Sequence, residues 1–179
     1  MSIVAMPPAL DSLRDEMLVR LFRDLQVARY NEVYYHMMAS SKRRSARNIK
    51  ILSAIASSAA LLGMLKAIPM IGELFSAILV AAAAGAGAIG PILGLDAKAT
   101  QYEKATMGHA IVRERIKCLL GDLKVKQSFD EACEARMREI GSVTSVLMAL
   151  DDASTATVKE KAWKQTLEEY PSESAWTIV

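Results

Sequence analysis

Few side chains in this sequence have a type and spacing that would support catalysis. The two histidines, His36 and His109, are far apart in the sequence, and neither belongs to a zinc motif such as H-E-x-x-H. The two cysteines, Cys118 and Cys133, lack metal-ligand spacing and indicate no disulfide framework. No G-x-S-x-G, Walker or C-x-x-C motif occurs. The chain is therefore predicted not to be an enzyme and to use no cofactor or metal.

Two features that resemble functional motifs have simpler interpretations. The string GAGAIG, Gly85 to Gly90, matches the G-x-G-x-x-G template for dinucleotide binding. It follows an apolar helical segment instead of a strand, so it fails the structural context that the motif requires. His109 falls on a helical apolar stripe, which favours a packed histidine; a pH-sensing role is the alternative.

The remaining polar groups of interest lie in or beside a long apolar stretch, which directs the interpretation toward transport across a membrane. Intramembrane polar residues usually face a bundle interior or a water-filled path. The alternative is that the serines only bond carbonyls of their own helix. The candidate pore-lining residues are Ser53, Ser57, Lys66, Glu73 and Ser76.

The stretch that positions these groups runs from Ile51 to Leu95 and contains only two charges, Lys66 and Glu73. A short polar turn containing Pro69 divides it into apolar segments 51–65 and 74–95. A helix of about 20 apolar residues crosses a bilayer, and the second segment meets that length. Flanking lysines extend the shorter first segment by snorkelling. We interpret the stretch as a transmembrane helical hairpin; a buried hairpin in a soluble bundle is the alternative.

The second apolar segment is rich in alanine and glycine. Small residues spaced four apart let helix backbones approach closely in lipid, within the hairpin or between subunits. Pro91 removes a backbone hydrogen bond and is expected to kink the helix, as a hinge or a plain bend. The candidate helix-packing residues are Ala81, Ala83, Gly85, Gly87, Gly90 and Pro91.

Charge distribution predicts the orientation of the hairpin. Basic residues cluster just before it, at Lys42, Arg43, Arg44, Arg47 and Lys50. By the positive-inside rule both termini are cytoplasmic, which predicts a multi-pass protein of the bacterial inner membrane. The cluster is also suited to anionic lipid head groups, or is a solvated helix face. A net charge of +2 argues against nucleic acid as a partner, and the N-terminus does not resemble a cleavable signal peptide.

Helices are predicted on both sides of the hairpin, and no run of alternating strand residues is present. No proline or glycine interrupts residues 10–62, so a long helix is expected over 10–48. After the hairpin, a helix over 97–124 carries a coiled-coil seam with steps of three and four residues. We expect these helices to pack antiparallel as a cytoplasmic stalk, in which seams from several subunits also join. The seam residues are Tyr102, Ala105, His109, Val112, Ile116, Leu119 and Leu123.

Two capping boxes predict the remaining helices. Ser128 with Glu131 opens a helix over 128–150, and Thr157 with Glu160 opens a short helix to about Glu169. The expected fold is all-α: a two-helix transmembrane hairpin whose long cytoplasmic extensions form an antiparallel bundle. Residues 1–150 form the main domain, and residues 151–179 are a short helical appendage.

The layout resembles the SLATT domain family of two-transmembrane effectors in bacterial defence and nucleotide-signalling systems. The resemblance rests on ARYNEVYYHMMASSKRRSARNIK (28–50), the apolar hairpin (51–95), AKATQYEKATMGHAIVRERIKCLLGDL (97–123) and a further cytoplasmic helix. It covers residues 10 to about 150. It implies an oligomeric effector that permeabilises the inner membrane in an abortive-infection response to phage. A partner sensor or a nucleotide signal would release that effector.

Two other functions fit the same sequence. A soluble helical pore-former would keep the hairpin buried until activation. A passive anchor or scaffold would use the hairpin only to hold the cytoplasmic helices for a partner, and would not conduct.

Overall fold

A computed structural model describes residues 8–56, 58, 77–78, 81, 85, 94–126, 130–147 and 156–171. Four helices account for nearly all of these residues: α1 (Pro8–Ala56), α2 (Leu95–Lys126), α3 (Glu131–Leu147) and α4 (Ala156–Glu169). The described residues contain no strand, which confirms the all-α class.

Helix α1 is 49 residues long, as expected from a sequence without internal proline or glycine. Pro8 occupies its first position, where the missing backbone N–H costs nothing because the first four N–H groups have no partner within the helix. The helix continues beyond the cytoplasmic part expected over 10–48 and reaches Ala56 in the apolar stretch, as the absence of proline and glycine allows. It therefore carries the basic cluster and the first residues of the apolar stretch on one continuous element.

The predicted hairpin, 51–95, lies almost wholly outside the described residues. Within the described part of the chain, no helix is both long and apolar enough to cross a membrane.

The described residues fall into two compact units. The first comprises α1 up to Met37 together with the chain from Tyr102 onward, and the second lies within Met38–Gln101. Helices α1 and α2 each contribute to both units.

The core of the first unit forms around the predicted seam of α2. All seven seam side chains are buried, six of them at 1% exposure or less. Four of the seven, Val112, Ile116, Leu119 and Leu123, form one core cluster with residues of α1 and α3. The other helices contribute Leu21, Leu25 and Ala28 of α1 and Cys133 and Ile140 of α3. The chain itself covers these positions, and the expectation that seams from several subunits also join stays a prediction.

Charged groups fix the relative position of the helices in this unit. Glu32 of α1 pairs with Arg113 of α2 at 2.9 Å, and Arg29 pairs with Glu169 of α4 at 2.6 Å. The buried side chain of Gln26 donates a hydrogen bond of 2.9 Å to the carbonyl oxygen of Tyr170. These contacts lie at less than 40% exposure, where screening by water is incomplete. They select one register of α1 against α2 and α4.

Two tyrosines of α1 are packing residues. Tyr34 and Tyr35 are 4% and 5% exposed. The Tyr35 ring stacks on Tyr102 and on His109, with centroid distances of 6.0 and 5.5 Å. His109 is fully buried, and neither ring nitrogen has a hydrogen-bond partner among the described residues.

The starts of α3 and α4 differ from the predicted capping boxes. Helix α3 begins at Glu131 because Asp130 is its cap: the Asp130 carboxylate accepts the backbone N–H of Cys133 at 2.9 Å. The predicted cap, Ser128, lies outside the described residues. Helix α4 begins at Ala156, which places Thr157 inside the first turn instead of at the cap.

Gly108, a weak point in the seam for helix propensity, has a packing role. A Cβ atom at this position would lie 2.5 Å from Cδ2 of Leu147. The missing side chain therefore lets the end of α3 approach α2 closely.

Burial of His109 predicts a loss of stability in mild acid. Burial lowers its pKa to about 4 from an ordinary 6.5, so the unfolded chain binds the proton first as the pH falls. Stability is then lost between about pH 6.5 and about pH 4, by about 3 kcal/mol. His109→Leu should flatten this part of the pH profile in denaturant unfolding of the full chain. The exposed His36 provides the control: His36→Gln should keep the wild-type slope, and an unchanged slope in His109→Leu would contradict the assignment.

The packing also predicts which apolar positions of α2 are sensitive to charge. Ile116 is 1% exposed in the core, whereas Ile111 on the same helix is 54% exposed. Ile116→Asp should lower the free energy of unfolding by about 4 kcal/mol or more, because it leaves a carboxylate without a partner. Ile111→Asp should change it by less than about 1 kcal/mol. Equal losses in thermal unfolding would show that α2 is not oriented as described.

Candidate functional site

The second unit pairs the end of α1 with the start of α2 through small side chains. Ala39 and Ala46 of α1 and Ala99 of α2 are buried, together with Met38. Alanine at such positions lets two helix backbones approach closely. Gly94, with a φ of 56°, directs the chain into α2 in a conformation that other residues rarely adopt.

An ion pair joins the two residues that flank the apolar stretch. Lys50 Nζ and Asp96 Oδ2 are 2.8 Å apart, although the residues are separated by 46 positions in the sequence. Both side chains are largely exposed, so the pair contributes little stability in water. Its importance is geometric, because it shows that the apolar stretch begins and ends at one place.

Large apolar side chains are exposed where α1 enters the apolar stretch. Ile51, Leu52 and Ile55 are 48%, 63% and 52% exposed, and Ile78 further along is 57% exposed. Neighbouring exposed Ile and Leu side chains are unfavourable in water and mark a surface that contacts lipid or protein.

A basic cleft lies beside this apolar surface, within the second unit. It has a volume of about 730 Å³ and is lined by four cationic side chains and one carboxylate. Arg43, Arg47 and Lys50 recur at steps of four and three along α1, which places them on one side of that helix. We call it the basic cleft; its lining residues are Ser40, Arg43, Arg44, Arg47, Lys50, Asp96, Ala99 and Thr100.

The predicted pore-lining residues are hardly represented in the described part of the chain. Ser53 lies on α1 and is half-buried. The other four, Ser57, Lys66, Glu73 and Ser76, lie outside the described residues, so their predicted convergence stays a prediction.

Two of the predicted helix-packing residues are described. Ala81 is exposed, and both Ala81 and Gly85 are helical. A Cβ atom added at Gly85 would meet no described atom within 4 Å. Within the described chain, therefore, no close contact requires glycine there. Ala83, Gly87, Gly90 and Pro91 lie outside the described residues.

The α1 half of the basic cleft is visible in the sequence as a cluster of basic residues, whereas the α2 half was not predicted. Asp96, Ala99 and Thr100 are spaced as one face of a helix directly after the apolar stretch. A hairpin must return this face to the basic residues that precede the stretch. The predicted topology thus contained a signal for the second wall of the cleft.

Metal ligands do not converge in the part of the chain that the structure describes. No three His, Cys, Asp or Glu side chains among the described residues are placed to hold an ion.

Comparisons with known proteins give no assignment of family. No family model, no curated protein and no solved structure matches the chain.

The ion pair predicts that the ends of the apolar stretch can be joined chemically. Lys50→Cys with Asp96→Cys, in a Cys118→Ser background, should give an intramolecular cross-link with a short flexible bis-maleimide. Ser40→Cys with Asp96→Cys is the control. Residue 40 lies about 15 Å from residue 50 along the axis of α1, so this pair should cross-link less efficiently. Mass spectrometry of the linked peptides measures both yields. Equal yields would contradict the pairing of residues 50 and 96.

Proposed function

We propose that this protein is an oligomeric effector that permeabilises the bacterial inner membrane in an abortive-infection response to phage. The observation that supports this most directly is the contact between Lys50 and Asp96 at the two ends of the apolar stretch. A partner sensor or a nucleotide signal would release the effector.

The contact supports a hairpin because it brings together the two ends of the stretch. Residues 51–95 contain only two charges, both at the predicted turn between the two apolar segments. A chain that leaves and returns at one point through two apolar segments has the form of two membrane helices. Helices suit this environment because they satisfy their own backbone hydrogen bonds in lipid.

The surroundings of the contact support the orientation. The exposed Ile51, Leu52 and Ile55 follow directly after the basic cluster along α1. An abrupt change from cationic to apolar surface along one helix is typical of a membrane interface. The cationic side then faces the cytoplasm, and both flanking helices lie there with it.

Permeabilisation requires more than one copy of the chain. Two helices do not enclose a water-filled path, so a ring of subunits would have to present Ser53, Ser57 and Ser76 to that path. The small residues from Ala81 to Gly90 offer the close helix contacts that such a ring needs. The resemblance to SLATT proteins supplies the expectation of an effector released during infection.

Membrane fractionation tests the first step of this proposal. The expressed full chain should stay in the membrane pellet after an alkaline wash, because transmembrane helices resist conditions that strip peripheral proteins. Recovery in the supernatant would refute a spanning hairpin and favour the soluble pore-former.

Release of a trapped dye from vesicles tests the second step. The wild-type chain should release dye and form cross-linkable oligomers, and Gly85→Leu with Gly87→Leu should reduce both by about tenfold. Ala97→Leu adds apolar bulk at an exposed position on α2 and should change neither. If the wild-type chain stays in the membrane but releases no dye, the passive anchor is the interpretation that remains.

A further inference from the structure

We propose that the basic cleft binds the phosphate group of an anionic phospholipid at the cytoplasmic surface of the membrane. This inference rests on the proposed membrane function. It adds a defined site and a class of ligand: the phosphodiester head group of a lipid such as phosphatidylglycerol.

The cleft carries more positive than negative charge. Asp96 is the only carboxylate among its lining residues, and Lys50 already pairs with it. Among the described residues, neither Arg44 nor Arg47 has an ion-pair partner. Cations spaced three and four apart on one helix repel one another, and a bound anion relieves that repulsion.

The chemistry of the lining residues favours a phosphate. Guanidinium groups present two parallel N–H donors, which match two oxygens of a phosphate group. Thr100 already donates its hydroxyl proton to the carbonyl oxygen of Asp96 at 3.0 Å, so it is not a free donor. Recognition therefore depends on cationic side chains, which suits a ligand defined mainly by its negative charge.

The position of the cleft identifies the source of the phosphate. Lys50 lies directly before the first apolar residue, and Arg47 lies about 4.5 Å before Lys50 along the helix axis. The head-group layer on each side of a bilayer is about 5–8 Å deep, so both cations lie at its depth when residue 51 enters the hydrocarbon. A lipid phosphate is thus delivered to the cleft by the membrane itself.

A free nucleotide fits the cleft less well than a lipid. Among the described residues no aromatic side chain lines the cleft, so these residues offer no surface on which a base would stack. The aromatic residues Tyr30, Tyr34 and Trp163 line a separate cleft in the first unit.

The test uses the full chain in a neutral detergent, titrated with phosphatidylglycerol or with phosphatidylcholine while thermal unfolding is followed. A ligand that binds the folded state raises the unfolding temperature as its concentration increases. Phosphatidylglycerol should raise it in a saturable manner and phosphatidylcholine should not. Arg44→Gln with Arg47→Gln should weaken the apparent affinity by about tenfold.

Lys98→Gln with Lys104→Gln is the matched control. Both lysines are exposed on α2 and neither lines the cleft, so the change removes the same charge and should alter the affinity by less than about twofold. An equal loss of affinity for phosphatidylglycerol in the two double variants would overturn the site. It would show that the lipid responds only to the overall charge of the protein.

Two further arms separate the remaining outcomes. Inorganic phosphate and adenosine monophosphate should give no shift at matched concentration; a shift with either of them, and none with the lipid, would overturn the lipid assignment. The alkaline wash is repeated in parallel. A chain that stays in the membrane but shows no lipid response refutes the cleft alone. A chain that washes off refutes the membrane function, and the titration still decides the cleft.

Discussion

The described fold depends on burial of one apolar stripe, the seam of α2. Its side chains meet residues of α1 and α3, and a buried Leu or Ile contributes about 1.5–3 kcal/mol by leaving water. A long helix such as α1 gains most of its stability by packing against other helices, and here it does so by covering this stripe. The glycine in the stripe, Gly108, belongs to the same packing because it admits Leu147 of α3. Because the stripe is covered within one chain, other surfaces remain for contacts between subunits.

Polar groups within this core specify how the helices fit together and add little net stability. Glu32 and Arg113 are each less than 20% exposed, and much of their attraction offsets the loss of hydration. Their value lies in register, because a shift of one helix by a turn would break the contact between the helices. Glu32 would then keep only Arg29, and Arg113 only Glu114, as partners on their own helices. His109 differs from this pair: its ring stacks on Tyr35, and it has no polar partner among the described residues. The free energy of unfolding is therefore higher at neutral pH, where His109 is uncharged, than in acid.

Periodicity made the long helices and the seam predictable from sequence. The 3,4 spacing from Tyr102 to Leu123 depends only on helix geometry, and burial of every member follows once a partner helix is present. Helix starts were less predictable, since Ser128 and Asp130 are both good caps and only the path of the chain into α3 selects between them. The basic cleft was half predictable. Arg43 to Lys50 were visible as a cluster, whereas Asp96 and Thr100 join them only because the apolar stretch returns to its origin.

The weakness of the contact between Lys50 and Asp96 has a consequence for the cleft. Exposed pairs contribute about 0–1 kcal/mol, so this pair does not hold the two helices together. Ala46 of α1 and Ala99 of α2 are buried in the same unit, and their burial does not depend on any charge. Lys50 can therefore exchange its carboxylate partner for a phosphate without loosening the helices. Salt weakens both contacts of Lys50 alike, so in the proposed membrane-bound state the exchange would depend on how much anionic lipid surrounds the start of the apolar stretch. Under that proposal the composition of the membrane, and not the stability of the fold, would determine which anion the cleft holds.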